Sequence, residues 1–133
     1  MEVEQIKTLT DGTARYSLSV VLDGVDFRLF FEWNTRDQHW YLSIRDAENE
    51  SITGCESIRL VRDVWPLRRI RDVRRPVGEL FVLSETMGDP GLRNLGTDVS
   101  LVYVPKALID LWDSEDETVD LIEYEELPPI GPV

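Results

Sequence analysis

The dipeptide Asp23-Gly24 sits between two strictly alternating apolar runs, and no other feature limits the fold as tightly. A two-residue Asp-Gly loop signals a type I′ turn, in which both central residues take positive φ and the flanking strands pair directly. With those two residues in the loop, the register follows by counting outward. Leu22 faces Val25, Val20 faces Phe27, Leu18 faces Leu29 and Tyr16 faces Phe31. All eight are apolar and share one face. On the other face Arg15 meets Glu32 and Ser19 meets Arg28. A slip of one residue would turn the apolar set toward water.

The same count carries the sheet onward. "NTRDQH" is polar and turn-like, and "WYLSIRD" alternates again. Trp33 then faces Trp40, Phe31 faces Leu42 and Leu29 faces Ile44, which gives a three-stranded meander. The aromatics crowded into residues 26–46 recur at period two because they line a sheet. His39 and Asp37 in the intervening loop admit a second reading, a general base with an orienting carboxylate. That chemistry needs a nucleophile or a held water in a walled pocket, and His39 is the chain's single histidine. A solvated hairpin tip is the simpler expectation.

Beyond the meander, "ITGCESIRLVRD" reads as a fourth strand with a bulge at Gly54. "ELFVLSE" and "TDVSLVYV" read as a fifth and a sixth. Between them, "TMGDPGLRNLG" is a loop. The connector "DVWPLRRIRDVRRPVG" is bracketed by Pro66 and Pro76, which argue against a long helix. Its Val64, Leu67, Ile70 and Val73 recur every three residues, which fits a single helical turn or an extended segment laid on the sheet. The expected fold class is all-β: a small antiparallel β-sandwich or partly open barrel of about six or seven strands, with a C-terminal extension. The expected division is a β domain at 1–106 and an acidic, proline-ended arm at 107–133.

Charge narrows the partners. The formal net charge is −12, so phosphate backbones repel the chain and nucleic acid is not an expected partner. Seven of the 14 basic residues nevertheless cluster as Arg59, Arg62, Arg68, Arg69, Arg71, Arg74 and Arg75. Eight carboxylates lie between Asp113 and Glu126 with no base among them. Arginine forks recognise carboxylates in pairs, so the Arg segment is a candidate contact for an acidic surface. The arm adds Leu111, Trp112, Leu121, Ile122 and Tyr124, apolar enough to grip a partner. An order-on-binding arm of this kind is open to proteolysis in the free chain.

No nucleotide-loop, zinc-protease, paired-cysteine or serine-elbow motif is present, and no catalytic, cofactor or metal residue is expected. Cys55 has no second cysteine to pair with and is expected to be a half-buried small side chain. "MEVEQIKTL" has no apolar signal core, and no apolar run approaches the roughly 18 residues of a membrane span. The expectation is a soluble chain made in the cytoplasm.

The ordered pattern "YSLSVVLDGVDFRLFFEWNTRDQHWYLSIRD", Gly54 with "IRLV", "PVGELFVL", and "DPGLRNLGTDVSLVYVP" resembles the baseplate plug family of contractile-tailed phages, over about residues 5 to 105. The resemblance implies a non-enzymatic virion structural protein at the tail tip. Such a protein is made in the host cytoplasm and associates with the baseplate hub, tail tube, spike or wedge, in several copies of a symmetric assembly. The alternative is a stand-alone β-sandwich module that recognises carbohydrate or peptide, with Trp40 and Tyr41 stacking on the ligand.

Overall fold

The computed structural model describes residues 3–112. Seven strands form two antiparallel sheets. They are β1 (Glu4–Gln5), β2 (Arg15–Leu22), β3 (Val25–Asn34), β4 (His39–Asp46), β5 (Ile58–Arg59), β6 (Glu79–Ser84) and β7 (Val99–Val104). One sheet runs β1-β7-β6 and the other β2-β3-β4-β5. A short helix, α1, begins at residue 106 and is described through residue 112. The fold is a sandwich rather than a closed barrel.

The hairpin register is the expected one at every pair, from Leu22 opposite Val25 to Arg15 opposite Glu32. Asp23 and Gly24 take φ of 51° and 77°, the type I′ geometry. β3 and β4 pair Trp33 with Trp40, Phe31 with Leu42 and Leu29 with Ile44. Their inward side chains meet those of the other sheet in one apolar core. Leu29, Leu42, Ile44 and Trp40 come from one sheet, and Leu80, Leu101 and Tyr103 from the other. Tyr16 stacks on Phe31 at 5.0 Å, and Trp40 meets Trp33 edge-on at 5.6 Å.

Four expectations need correction. Leu18 and Val20 share the core face but are only half-buried, because among the described residues β2 ends its sheet with no strand beyond it. Val25, beside the turn, is 51% exposed although its cross-strand partner Leu22 is buried. The long fourth strand is mostly turns, with only Ile58–Arg59 paired to β4. Gly54 is not a bulge. It sits in a β-turn closed by Cys55 N–H donating to the Ile52 carbonyl, with φ of 88°.

The connector is neither helical nor laid flat. It is a run of turns pinned at Leu67, whose N–H donates to Glu79 Oε1 at 2.7 Å. Leu67 and Ile70 pack on the core, whereas Val64 and Val73 point outward, Val73 with 92% exposure. Glu79 is fully buried, and its Oε1 also accepts the Leu80 N–H at 3.0 Å.

Two experiments test this packing. Leu29→Ala removes a side chain with no exposed surface and is expected to cost about 2–5 kcal/mol in denaturant unfolding. Burial raises the Glu79 carboxyl above its usual value, against the two N–H bonds that lower it. Stability is then lost as pH rises through that raised value. Glu79→Gln keeps the acceptor without the charge and is expected to hold or raise the urea midpoint at neutral pH. Glu79→Ala orphans two N–H groups and is expected to cost roughly 1–3 kcal/mol for each.

Candidate interaction surface

The polar tip of the β3–β4 hairpin is closed by its own side chains. Asn34 Oδ1 accepts the Asp37 N–H at 2.9 Å and fixes the loop. His39 then places Nδ1 2.8 Å from the Asp37 carbonyl and Nε2 2.8 Å from Asp89 Oδ2. Both partners accept from a protonated ring and hold the imidazole above its ordinary pKa, against burial and the Arg59 guanidinium, whose Nη2 lies 3.3 Å from Nδ1. The Asp37 carboxylate lies 3.8 Å from His39 Nδ1, and its hydrogen bonds go to other groups. That group takes Arg59 Nε at 2.8 Å and the Tyr41 hydroxyl at 2.6 Å, and these bonds hold it down to about 2. Burial alone would raise Asp89. The Arg62 N–H and His39 outweigh it and hold Asp89 below the usual range.

When the ring is protonated, both nitrogens are committed, one to the Asp37 carbonyl and one to Asp89. His39 acts as a tie between the hairpin tip and the β6–β7 loop. Asp89, the acceptor, went unnoticed because it lies fifty residues away in a loop whose composition shows only turns. Trp40 is fully buried, and its indole N–H donates to the Gly91 carbonyl at 2.9 Å. It therefore cannot stack on a sugar as the binding-module reading required. Burial pushes the Cys55 thiol up to about 11, so it is unreactive and more deeply buried than expected.

The Arg segment divides into spent and open groups. Arg59 is bound to Asp37, and Arg62 pairs with Asp63 at 3.0 Å. Arg74 reaches Asp72 at 2.8 Å, with Asp46 and Glu50 beyond. Arg75 donates to the Pro76 carbonyl at 2.8 Å. Arg68 lies over the Trp65 ring, 5.1 Å from its centroid. Among the described residues Arg68, Arg69 and Arg71 make no ion pair, and all three are exposed beside Val73. Leu111 and Trp112, on α1, are 50% and 40% exposed. Leu121, Ile122 and Tyr124 lie outside the described residues.

Near the β2–β3 turn an open cleft of about 570 Å³ is lined by Val25, Val73 and Val77 together with Asp46, Glu48 and Arg74. The same turn meets α1, since Asp23 Oδ2 accepts the Lys106 N–H at 3.0 Å. Exposed apolar groups and mixed charges thus gather at one end of the molecule. That composition suits protein contact.

Residues 3–106 match the family model described as the cyanophage baseplate Pam3 plug gp18. The chain belongs to this family. No curated protein matches it. The matched span takes in every strand from Glu4 to Val104, so the baseplate plug family is defined here by the whole sandwich. The chain is accordingly a structural component of a phage tail baseplate. The elements that carried the resemblance prove to be points of closure. Asp23 of the hairpin, Gly78 before β6 and Tyr103 in β7 meet through one phenol: Gly78 N–H donates to it, and it donates to Asp23 Oδ2, each at 2.7 Å. A Cβ on Gly78 would fall 2.2 Å from the Val104 carbonyl oxygen, so only glycine fits there.

The His39 tie predicts a pH dependence with a definite sign. A histidine raised above its ordinary 6.5 stabilises the fold fully below that value, and the contribution is lost as pH rises through the raised one. The melting-temperature gap between the native chain and His39→Gln is expected to be largest near about pH 5.5 and to narrow by about pH 9. A gap independent of pH would show that His39 acts by packing alone.

Proposed function

We propose that this chain works as a plug or hub-associated protein at the tail tip, binding neighbouring tail proteins such as the hub, tube, spike or wedge, in several copies. It is produced in the host cytoplasm before assembly. The single observation that carries the reading is the family match across the entire sandwich, residues 3–106. Its mechanism is packing. The sandwich is the rigid part, with a polar hairpin tip satisfied internally, while the contact groups sit on the connector and the C-terminal extension.

Arg68, Arg69 and Arg71 are the guanidiniums best placed to meet a partner's carboxylates. An arginine already in an internal bidentate pair has less to give. Arg59, Arg62, Arg74 and Arg75 serve this surface by holding the connector in place. Leu111 and Trp112 begin the adhesive arm proposed for residues 107–133, which Leu121, Ile122 and Tyr124 would continue. Separated patches of opposite charge also favour oriented docking during assembly.

The reading is tested by tail assembly with the triple variant Arg68→Glu, Arg69→Glu and Arg71→Glu. The three side chains are exposed, so the melting temperature is expected to stay within a few degrees of the native value. Incorporation of the chain into purified tails is expected to fall at least tenfold. Full incorporation of the folded variant would remove these arginines from the contact.

A further inference from the structure

β2 ends the four-stranded sheet with eight residues in unbroken register and, among the described residues, no strand on its far side. The two-residue turn fixes which backbone groups are committed. Leu22 and Val25 close the turn as a hydrogen-bonded pair, so Leu22, Val20, Leu18 and Tyr16 exchange bonds with β3. Val21, Ser19, Ser17 and Arg15 turn their N–H and C=O groups the other way. Among the described residues no backbone partner from a loop reaches them.

Edge strands of monomeric proteins are usually blunted by lysine, proline, a bulge or a covering segment. Tyr16–Leu22 has no charge, no proline and no glycine. Its inward Tyr16, Leu18 and Val20 pack on the core yet stay half-exposed, and Val21 is 57% exposed. An open cleft of about 310 Å³ between residues 4–7 and 18–22 leaves room beside the edge.

We propose that this edge is a self-association site, at which two copies of the chain pair their β2 strands antiparallel about a two-fold axis at Leu18. The register is self-complementary. Ser17 falls opposite Ser19 of the second copy and Arg15 opposite its Val21, and all four belong to the outward-bonding set, as the ladder requires. On the inner face Leu18 meets its own mate, and Tyr16 meets Val20 of the second copy, which covers the half-exposed apolar row. On the outer face Val21 has Asp26 as its β3 neighbour. Arg15 therefore gains a carboxylate just across Val21 of the second copy. Its present partner, Glu32, is 4.0 Å away, with both side chains largely in water. The two-fold axis makes this charge match twice, and no like charges fall opposite each other in the β2–β2 register. The pairing is independent of which tail proteins the plug touches.

Sedimentation equilibrium of the full chain, from micromolar to several hundred micromolar, tests the site. The native chain is expected to move from one copy to two over that range. Ser17→Glu with Ser19→Glu sets like charges opposite each other at both serine pairs and is expected to weaken association at least tenfold, with melting of the single copy preserved. Ser17→Glu with Ser19→Lys sets opposite charges at the same pairs and is expected to restore association to at least the native level. A native chain that stays single throughout overturns the proposal and leaves the edge to a different protein's strand. A charge-swapped pair no tighter than the doubly acidic one overturns this register.

Discussion

The sandwich is closed by the hydroxyl of Tyr103. This phenol is fully buried on β7 and must be satisfied in both its roles. It accepts the Gly78 N–H and donates to Asp23 Oδ2, joining the start of β6 to the turn of the opposite sheet. The same Asp23 oxygen takes the Lys106 N–H, so the first residue of α1 hangs from the same point. Burial raises the phenol's pKa well above its ordinary value, so it stays protonated and able to donate. Asp23 thus does two jobs. Its backbone makes the turn, and its side chain tells that turn where the other sheet lies.

A second tie works at the opposite end of the meander, and it uses charge where the first uses a neutral hydroxyl. His39, Asp37, Arg59, Asp89 and Tyr41 sit at the surface, where each ion pair alone would be worth little. Linked together, they hold β4, β5 and the β6–β7 loop in one arrangement. Trp40 adds a buried bond to the same loop through Gly91. The loop "TMGDPGLRNLG" has no strand of its own and is ordered by these borrowed contacts.

Internal use of charge also explains the contact surface. In a chain of net charge −12, guanidiniums find internal carboxylates easily, and four of the seven clustered arginines are engaged in bonds within the chain. What distinguishes Arg69 and Arg71 is position. They are exposed on the turns that follow the buried Leu67, and among the described residues neither makes an ion pair. Arg68 is held instead over Trp65, and its charge remains available.

The sequence by itself determined the β2–β3–β4 meander and its register, except that the Asn34–His39 pair closing it was read as loop. Strand alternation has period two, and a two-residue turn leaves one register that keeps the apolar face whole. It also determined that the connector was not a long helix, and it marked the arginines as a group. Tertiary structure decided that Arg59 is spent, because Asp37 reaches it from twenty-two residues away, whereas Arg62 and Arg74 pair with acids one and two residues off in sequence. It likewise decided that the fourth strand is mostly turns, and that His39 answers to Asp89 rather than to the Asp37 carboxylate. The physical reason is range. Periodicity and turn chemistry act between neighbours, whereas the bond from Tyr103 to Asp23 spans eighty residues and exists only once both sheets have packed.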